Sequence, residues 1–447
     1  MHIPELLSPA GTLRNMKYAF AYGADAVYAG QPRYSLRVRN NDFNEATLAE
    51  GIEYAHRLNK KFYLASNILP HNSKLKTYIK DLTPIIAMGP DALIMSDPGL
   101  IHLVKEAFPH MAIHLSVQAN TMNWAAVKFW YSAGVERIIL SRELSLDEIA
   151  EIKQRCPEME IEVFVHGALC IAYSGRCLLS GYINKRDPNQ GACTNTCRWK
   201  YDAHEATQND SGDIIPVGHY EPKPALGEGT PTNKIFLLQE ETRPGQYMPA
   251  FEDEHGTYIM NSKDLRAIQH VQKLTEIGVD SLKIEGRTKS HYYASRTAQT
   301  YRQAIDDAVA GKPFDMSLMD ELENLASRGY TEGFYRRHIH DEYQNYEQGN
   351  SVGVQQQFVG EITEYDQQQD LLHINVKNRF ELNDTLELMT PQGNTKFELR
   401  TLLDKNNHQV TAAPGSGHQV KIAITQDIGL DKIDLTYAML MRDLAKK

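Results

Sequence analysis

The sequence predicts an α/β chain: a TIM-like (β/α)8 barrel with a cysteine-rich insertion, followed by a small antiparallel β-barrel domain. Three observations carry the prediction. Eight short β-rich runs alternate with helically spaced stretches, glycine followed two positions later by an acid recurs between helix and strand, and from about residue 353 the texture changes to period-two alternation.

The eight runs lie at 3–7, 26–29, 62–67, 92–96, 113–117, 137–140, 160–165 and 281–284, and the helical spacing between them at 13–22, 45–58, 75–88, 100–108, 124–133, 145–156 and 262–277. Gly23-Ala24-Asp25, Gly89-Pro90-Asp91, Gly134-Val135-Glu136 and Gly278-Val279-Asp280 each sit where a helix should end and a strand begin. A glycine there takes a left-handed conformation that other residues resist. The motif fits an open sheet as well as a closed barrel, and the count of eight favours the barrel. Residues 1–312 form this catalytic unit, with the insertion at 167–257 inside it. Helices at 292–310 and 316–326 wrap it or lead into a charged linker over 313–352. Strands at 358–362, 371–376, 384–389, 396–399 and 419–423, separated by Pro/Gly turns, make the second barrel over 353–430, and a tail over 431–447 is expected to be helical.

A chain of 447 residues exceeds what one core usually organises, and 42% apolar residues exclude wholesale disorder. The net charge of −10 argues against indiscriminate coating of nucleic acid, so an RNA partner would need a local basic patch. No apolar run approaches the roughly 20 residues that span a bilayer. The N-terminus, MHIPELLSPAG, lacks the basic start and apolar stretch of a secretory signal, and a cytoplasmic protein is expected. Five cysteines are too few for a disulfide scaffold.

Four of the five are clustered: Cys170, Cys177, Cys193 and Cys197 form C-x6-C-x15-C-x3-C, with Cys156 apart in an expected helix. Four thiolates can hold one zinc ion tetrahedrally or ligate a [4Fe-4S] cluster. Neither pair has the two-residue gap of zinc knuckles, which favours the iron–sulfur cluster. The polar, turn-rich neighbours of these cysteines argue against four separate core thiols.

Polar residues gather just beyond the expected strands, where a barrel of this type builds its site: Asn67, Asp97, Gln118, Asn120, Arg142, Glu143, His166, Glu285 and Arg287. His166, Glu285, Gln118 and Asn120 are the catalytic candidates. Arg142, Arg287, Arg176 and Arg198 are the substrate-binding candidates. Any one of these also reads as an ordinary strand-end cap. Hydrolytic signatures such as H-E-x-x-H or a G-x-S-x-G elbow are missing from the sequence. Basic residues near the cysteines, after the eighth strand (Arg287, Lys289, Arg296, Arg302) and in the linker (Arg328, Arg336, Arg337) suit a phosphate backbone, with Tyr292, Tyr293 and Tyr335 available to stack bases.

The run from Glu162 to Ser180, E-V-F-V-H-G-A-L-C-I-A-Y-S-G-R-C-L-L-S, resembles the signature of peptidase family U32, whose members were first labelled collagenase-like proteases. The resemblance extends to E-L-L-S-P-A-G at Glu5–Gly11, G-A-D-A-V-Y at Gly23–Tyr28, S-V-Q-A-N at Ser116–Asn120, N-S-K-D-L at Asn261–Leu265 and L-K-I-E-G-R at Leu282–Arg287. The stretch Asp187–Trp199 is similar to a bacterial branch implicated in prephenate-dependent hydroxylation of the tRNA wobble uridine to 5-hydroxyuridine, on the way to 5-carboxymethoxy- or 5-methoxyuridine. Other relatives hydroxylate ribosomal RNA or ubiquinone precursors, and several hold a four-iron cluster on four cysteines. The resemblance thus implies Cys170, Cys177, Cys193 and Cys197 as cluster ligands, a tRNA anticodon loop as partner and prephenate as co-substrate. Prephenate carries two carboxylates, for which Arg142 and Arg287 are the candidate contacts. The third and fourth cysteines lie closer together than in the quinone-hydroxylating relatives. Two rival readings are a collagenase-like, metal-dependent peptidase and a non-catalytic RNA-binding factor with a structural metal.

Overall fold

The computed structural model describes residues 2–36, 42–169, 263–325, 329–336, 356–424, 430 and 433–444, with the backbone of short strands between 206 and 258. Seven parallel strands follow in order, β1 (Glu5–Pro9), β2 (Ala26–Gly30), β3 (Lys61–Ala65), β4 (Ala92–Met95), β5 (Ile113–Leu115), β6 (Arg137–Ile139) and β7 (Glu160–Ala168). Between them run helices α1 (Leu13–Ala21), α2 (Glu45–Arg57), α3 (Asn72–Ile86), α4 (Pro98–Ala107), α5 (Trp124–Ser132) and α6 (Leu146–Arg155). A short strand β8 (Asp264–Arg266) and helix α7 (Val271–Ile277) precede β9 (Ser281–Ile284), which pairs in parallel with both β1 and β7 and closes an eight-stranded barrel.

The glycines expected at the turns all have positive φ, from +80° at Gly89 to +102° at Gly23. The acid that follows has a use only the fold reveals. Asp25 accepts from the backbone N–H of Leu6 (3.0 Å), Asp91 from Phe62 (2.7 Å) and Asp280 from Ile161 (2.7 Å). Each carboxylate thereby satisfies the neighbouring strand's exposed donor at the lower rim.

The lumen is ionic where aliphatic layers are usual. Arg137 lies 2.6 Å from Glu5, 2.7 Å from Glu160 and 3.3 Å from Glu162, and Lys283 donates to Glu162 at 2.7 Å. Tyr63 and Ser281 complete the coordination of Glu5. The arginine, lysine and Glu162 side chains are at most 4% exposed. Burial alone would weaken the Arg137 charge, but Glu5 and Glu162 outweigh it and hold the guanidinium protonated.

The stretch 262–277 departs from the expected helix. Its first part is β8, antiparallel to β7 and parallel to β10 (Tyr330–Thr331), followed by a single 3-10 turn and then α7. Long-range ladder bonds outweigh the local helical spacing there. Helix α8 (His291–Val309) packs across α1 and α7, and α9 (Ser317–Glu323) follows.

The C-terminal unit is a seven-stranded antiparallel half-barrel. Its strands are β11 (Gln356–Asp366), β12 (Leu371–Val376), β13 (Thr385–Thr390), β14 (Gly393–Glu398), β15 (Thr401–Asp404), β16 (Gln419–Ala423) and β17 (Met439–Asp443), in the order β14-β13-β17-β11-β12-β16-β15. Within the tail, Met439–Asp443 is therefore a strand where a helix was expected. Met439, Leu440 and Met441 are fully buried in β17 between β11 and β13, where a central strand needs both faces apolar. This unit is clasped to the barrel's outside. The Tyr22 hydroxyl lies 3.1 Å from the Met389 carbonyl and 2.9 Å from that of Tyr437, and fully buried Arg296 of α8 reaches Glu387 at 2.9 Å. Among the described residues no helix is long and apolar enough to cross a membrane.

Removing the cation from the lumen strands a buried carboxylate. Arg137→Met is expected to lower the unfolding free energy by about 3–5 kcal/mol, with Glu5→Gln added to it recovering part of the loss; urea unfolding of the single and double variants checks both.

Candidate functional site

The upper rim, formed by the C-terminal strand ends, collects most of the expected residues, and the lumen supplies its floor. Lys283 points inward from β9, its ammonium 4.4 Å from the Tyr28 ring centre and 5.5 Å from that of Phe164. Burial lowers its pKa, and the Glu162 carboxylate offsets only part of that. Above it, the Arg142 guanidinium lies over the Phe164 ring at 3.8 Å. Arg142 is half-buried and has no hydrogen-bond or ion-pair partner among the described residues.

Arg287 occupies the opposite side of the rim. It donates to Ser35 Oγ at 2.8 Å and lies 5.6 Å from the Tyr28 ring centre, while the Tyr28 hydroxyl donates to the Ile284 carbonyl. Gly30 at the end of β2 makes room for it, because a Cβ there would come within 2.9 Å of the guanidinium and 2.8 Å of Ser35 Oγ. Burial is the main cause that pushes the Tyr28 phenol far above its ordinary pKa, with the half-buried Glu285 adding to the push.

The β5 side is made of amides. Gln118 Oε1 accepts from Asn67 Nδ2 at 2.7 Å and from Ser116 Oγ at 3.1 Å, and Asn120 Nδ2 donates to the Gln118 carbonyl at 3.0 Å. Several buried polar atoms at the strand ends find no partner among the described residues: Ser8 Oγ, Gln31 Oε1, Gln118 Nε2, Asn120 Oδ1, Thr121 Oγ1, Ser141 Oγ and Glu143 Oε2. Such atoms are uncommon in a finished core and common where a polar ligand completes them.

Not every expected residue joins the site. Asp97 caps α4 through the Leu100 N–H at 2.8 Å. His166, expected to face the cavity, is turned away from it. A bulge in β7 pairs Lys283 with Phe164 but Ile284 with His166, so the histidine shares the outward parity of Ile284. Its ring lies among Tyr293, Tyr301 and Tyr330, at 5.8, 5.6 and 5.5 Å between ring centres, and is 1% exposed. Burial, with Arg266 and Lys289 adding to it, lowers its pKa to about 3, so it is neutral and structural. Arg296 and Arg302 of the basic patch after the eighth strand, and Arg336 of the linker, are likewise engaged in ion pairs. Arg296 holds Glu387 and Glu321, Arg302 holds Asp25 and Asp306, and Arg336 holds Glu332. Tyr292, Tyr293 and Tyr335 are buried and cannot stack on bases. Amphipathic helices bury just such residues, and sequence spacing does not tell which face does so.

Cys170, Cys177, Cys193, Cys197, Arg176 and Arg198 lie outside the described residues. Two residues from either end of this stretch, Ala168 and Asp264 are paired across the sheet at the upper end of β7. Among the described residues no group of three or more His, Cys, Asp or Glu is placed to hold a metal ion. Cys156 is buried, its thiol 3.5 Å from the Trp124 carbonyl in the helical layer.

The sequence profile of peptidase family U32 matches residues 11–345, and that of its C-terminal domain matches 354–442. The chain belongs to peptidase family U32. It is 65% identical to tRNA hydroxylation protein P of Haemophilus influenzae over 99% of this chain and 96% of that protein. It is 64% identical to the Escherichia coli protein of the same name over 100% of this chain and 98% of the relative. The E. coli 23S rRNA 5-hydroxycytidine synthase is 31% identical over 75% of this chain and 43% of its own length.

Lys283, Tyr28, Phe164 and Ser35 were not among the sequence candidates. The available signal was a charge at the lumen parity of an apolar strand, as in Ser281-Leu282-Lys283-Ile284.

Neutral His166 also makes the fold sensitive to acid. The unfolded chain binds a proton near pH 6.5 that the folded chain refuses until about pH 3, so stability is complete above pH 6.5 and falls as the pH drops below it. Urea unfolding should show a loss on the order of 2 kcal/mol from this group between pH 6.5 and 5, and His166→Gln should flatten that part of the slope.

Proposed function

We propose that this chain hydroxylates the C5 carbon of a tRNA wobble uridine in a prephenate-dependent reaction, using an iron–sulfur cluster on Cys170, Cys177, Cys193 and Cys197. The observation that carries the reading is the full-length identity of 64–65% to two tRNA hydroxylation proteins, in a chain whose barrel mouth presents arginines and amides. The rRNA-hydroxylating relative supports pyrimidine C5 as the reacting position, since its named product is 5-hydroxycytidine.

The mouth suits a small dicarboxylate beside a flat base. Arg142 is braced on Phe164 with its N–H groups uncommitted to other described residues, and Arg287 is braced on Tyr28 and Ser35. Each can meet one carboxylate of prephenate through charge-assisted hydrogen bonds. Below them Lys283, ion-paired to Glu162, forms a polar floor between Tyr28 and Phe164. A wobble base lies unstacked in its loop and can enter such a mouth at little cost. The cluster, when bound, supplies or relays electrons that side chains cannot. Four thiolates in a polar, turn-rich segment are a suitable donor set, and that segment is bordered by residues at the upper rim. A peptidase reading gains nothing from the described mouth, because His166, the histidine among the catalytic candidates, is enclosed by three tyrosines on the outer side of the barrel.

Deleting the gene should remove 5-hydroxyuridine and its derivatives from tRNA, read by nucleoside mass spectrometry, and the wild-type gene should restore them. An unchanged profile in the deletion strain would overturn the reading. Arg142→Ala and Arg287→Ala are each expected to cut the restored level about tenfold or more, the worth of a lost charge-assisted contact. In anaerobically purified protein, Cys170→Ala should lose iron and brown colour. Cys156→Ala should keep both.

A further inference from the structure

The geometry points to Gln118 and Asn120 as the pair that reads the pyrimidine edge and selects uracil over cytosine, an assignment that rests on the uridine-hydroxylation reading above. An amide side chain can ordinarily turn end for end and present either a donor or an acceptor. These two cannot. Asn67 Nδ2 and Ser116 Oγ both donate to Gln118 Oε1, at 2.7 and 3.1 Å, and Asn67 is oriented in turn by the Leu36 N–H, 3.3 Å from its Oδ1. Turning Gln118 over would set its amino group against that of Asn67. Asn120 is fixed by its own donation to the Gln118 carbonyl at 3.0 Å, because turning it over would set its oxygen against that carbonyl.

What remains is one buried donor, Gln118 Nε2, and one buried acceptor, Asn120 Oδ1, both without partners among the described residues. Gln118 is 6% exposed, so water offers its amino group little compensation. The hydroxyls of Thr121 and Ser141 beside them are likewise unpartnered and at most 3% exposed. A planar ligand that offers one carbonyl and one N–H on a single edge satisfies the pair, and the imide edge of uracil is such an edge. Cytosine held with its C5 in the same place would set an amino group against Gln118 Nε2 and a bare ring nitrogen against Asn120 Oδ1. Both contacts are repulsive, and a site built to pair with one edge rejects the other strongly.

The test measures binding of the full-length protein to three anticodon stem-loops that differ only at the wobble base: uridine, cytidine and N3-methyluridine. Wild-type protein should bind the uridine form about tenfold or more tightly than either of the others, since methylation removes the N–H that Asn120 accepts. Gln118→Glu keeps the oxygen that receives Asn67 and Ser116 but turns the free donor into an acceptor. It should weaken uridine binding and bring uridine and cytidine to within about threefold of each other. Wild-type protein that restores 5-hydroxyuridine in the deletion strain yet does not discriminate the three RNAs overturns the amide assignment alone, as does Gln118→Glu with an undiminished preference. Wild-type protein that neither binds nor restores overturns this assignment together with the hydroxylation reading. If Gln118→Glu does not fold, the three-RNA comparison on the wild-type protein decides the matter.

Discussion

The charges buried inside the barrel are the constraint on which the rest is built. Glu5, Arg137, Glu162 and Lys283 come from β1, β6, β7 and β9, so the first strand and the last are joined by the same ionic contacts that fill the lumen. Two carboxylates and two cations deep in a low-dielectric interior tolerate few registers, because a one-residue slip would turn a charge into the apolar outer layer. The network thereby fixes where β9 ends. That position sets Lys283 beneath the mouth and carries Glu285 and Arg287 to its rim.

Above this floor the mouth divides into two chemistries. One part carries Arg142 and Arg287, each laid against an aromatic ring that limits its freedom and shields it from water. The other carries the Asn67–Gln118–Asn120 chain of amides, whose members orient one another. The arginines suit anionic groups and the amides suit an uncharged polar edge, so two different ligands can be held side by side without competing for the same contacts. The half-barrel stands outside this division. It is bound to α1 and α8 through Tyr22 and Arg296, and Met389, Met439 and Met441 extend the barrel's own apolar cluster.

Several features were legible in the sequence because they depend on local backbone chemistry. The eight strands, the glycines that end the helices and the polar residues after the strands follow from periodicity and from the conformations each residue accepts. The features that were misjudged depend on contacts between distant segments. The stretch 264–266 is a strand because β7 and β10 offer it ladder partners, and the tail is a strand because β11 and β13 leave a gap that Met439–Asp443 fills. His166 faces outward because one extra residue in β7 reverses its parity, and a bulge leaves no mark in the composition of an apolar run.

The sequence by itself determined the order and kind of the barrel's elements and brought four cysteines into one short stretch, since spacing and residue type are properties of the chain alone. Only the tertiary structure decided which charges are spent inside the fold and which amide atoms are left unmatched. Those outcomes depend on distances between residues far apart in the chain, such as Arg302 and Asp25, which are separated by 277 positions, and nothing local to either residue encodes them.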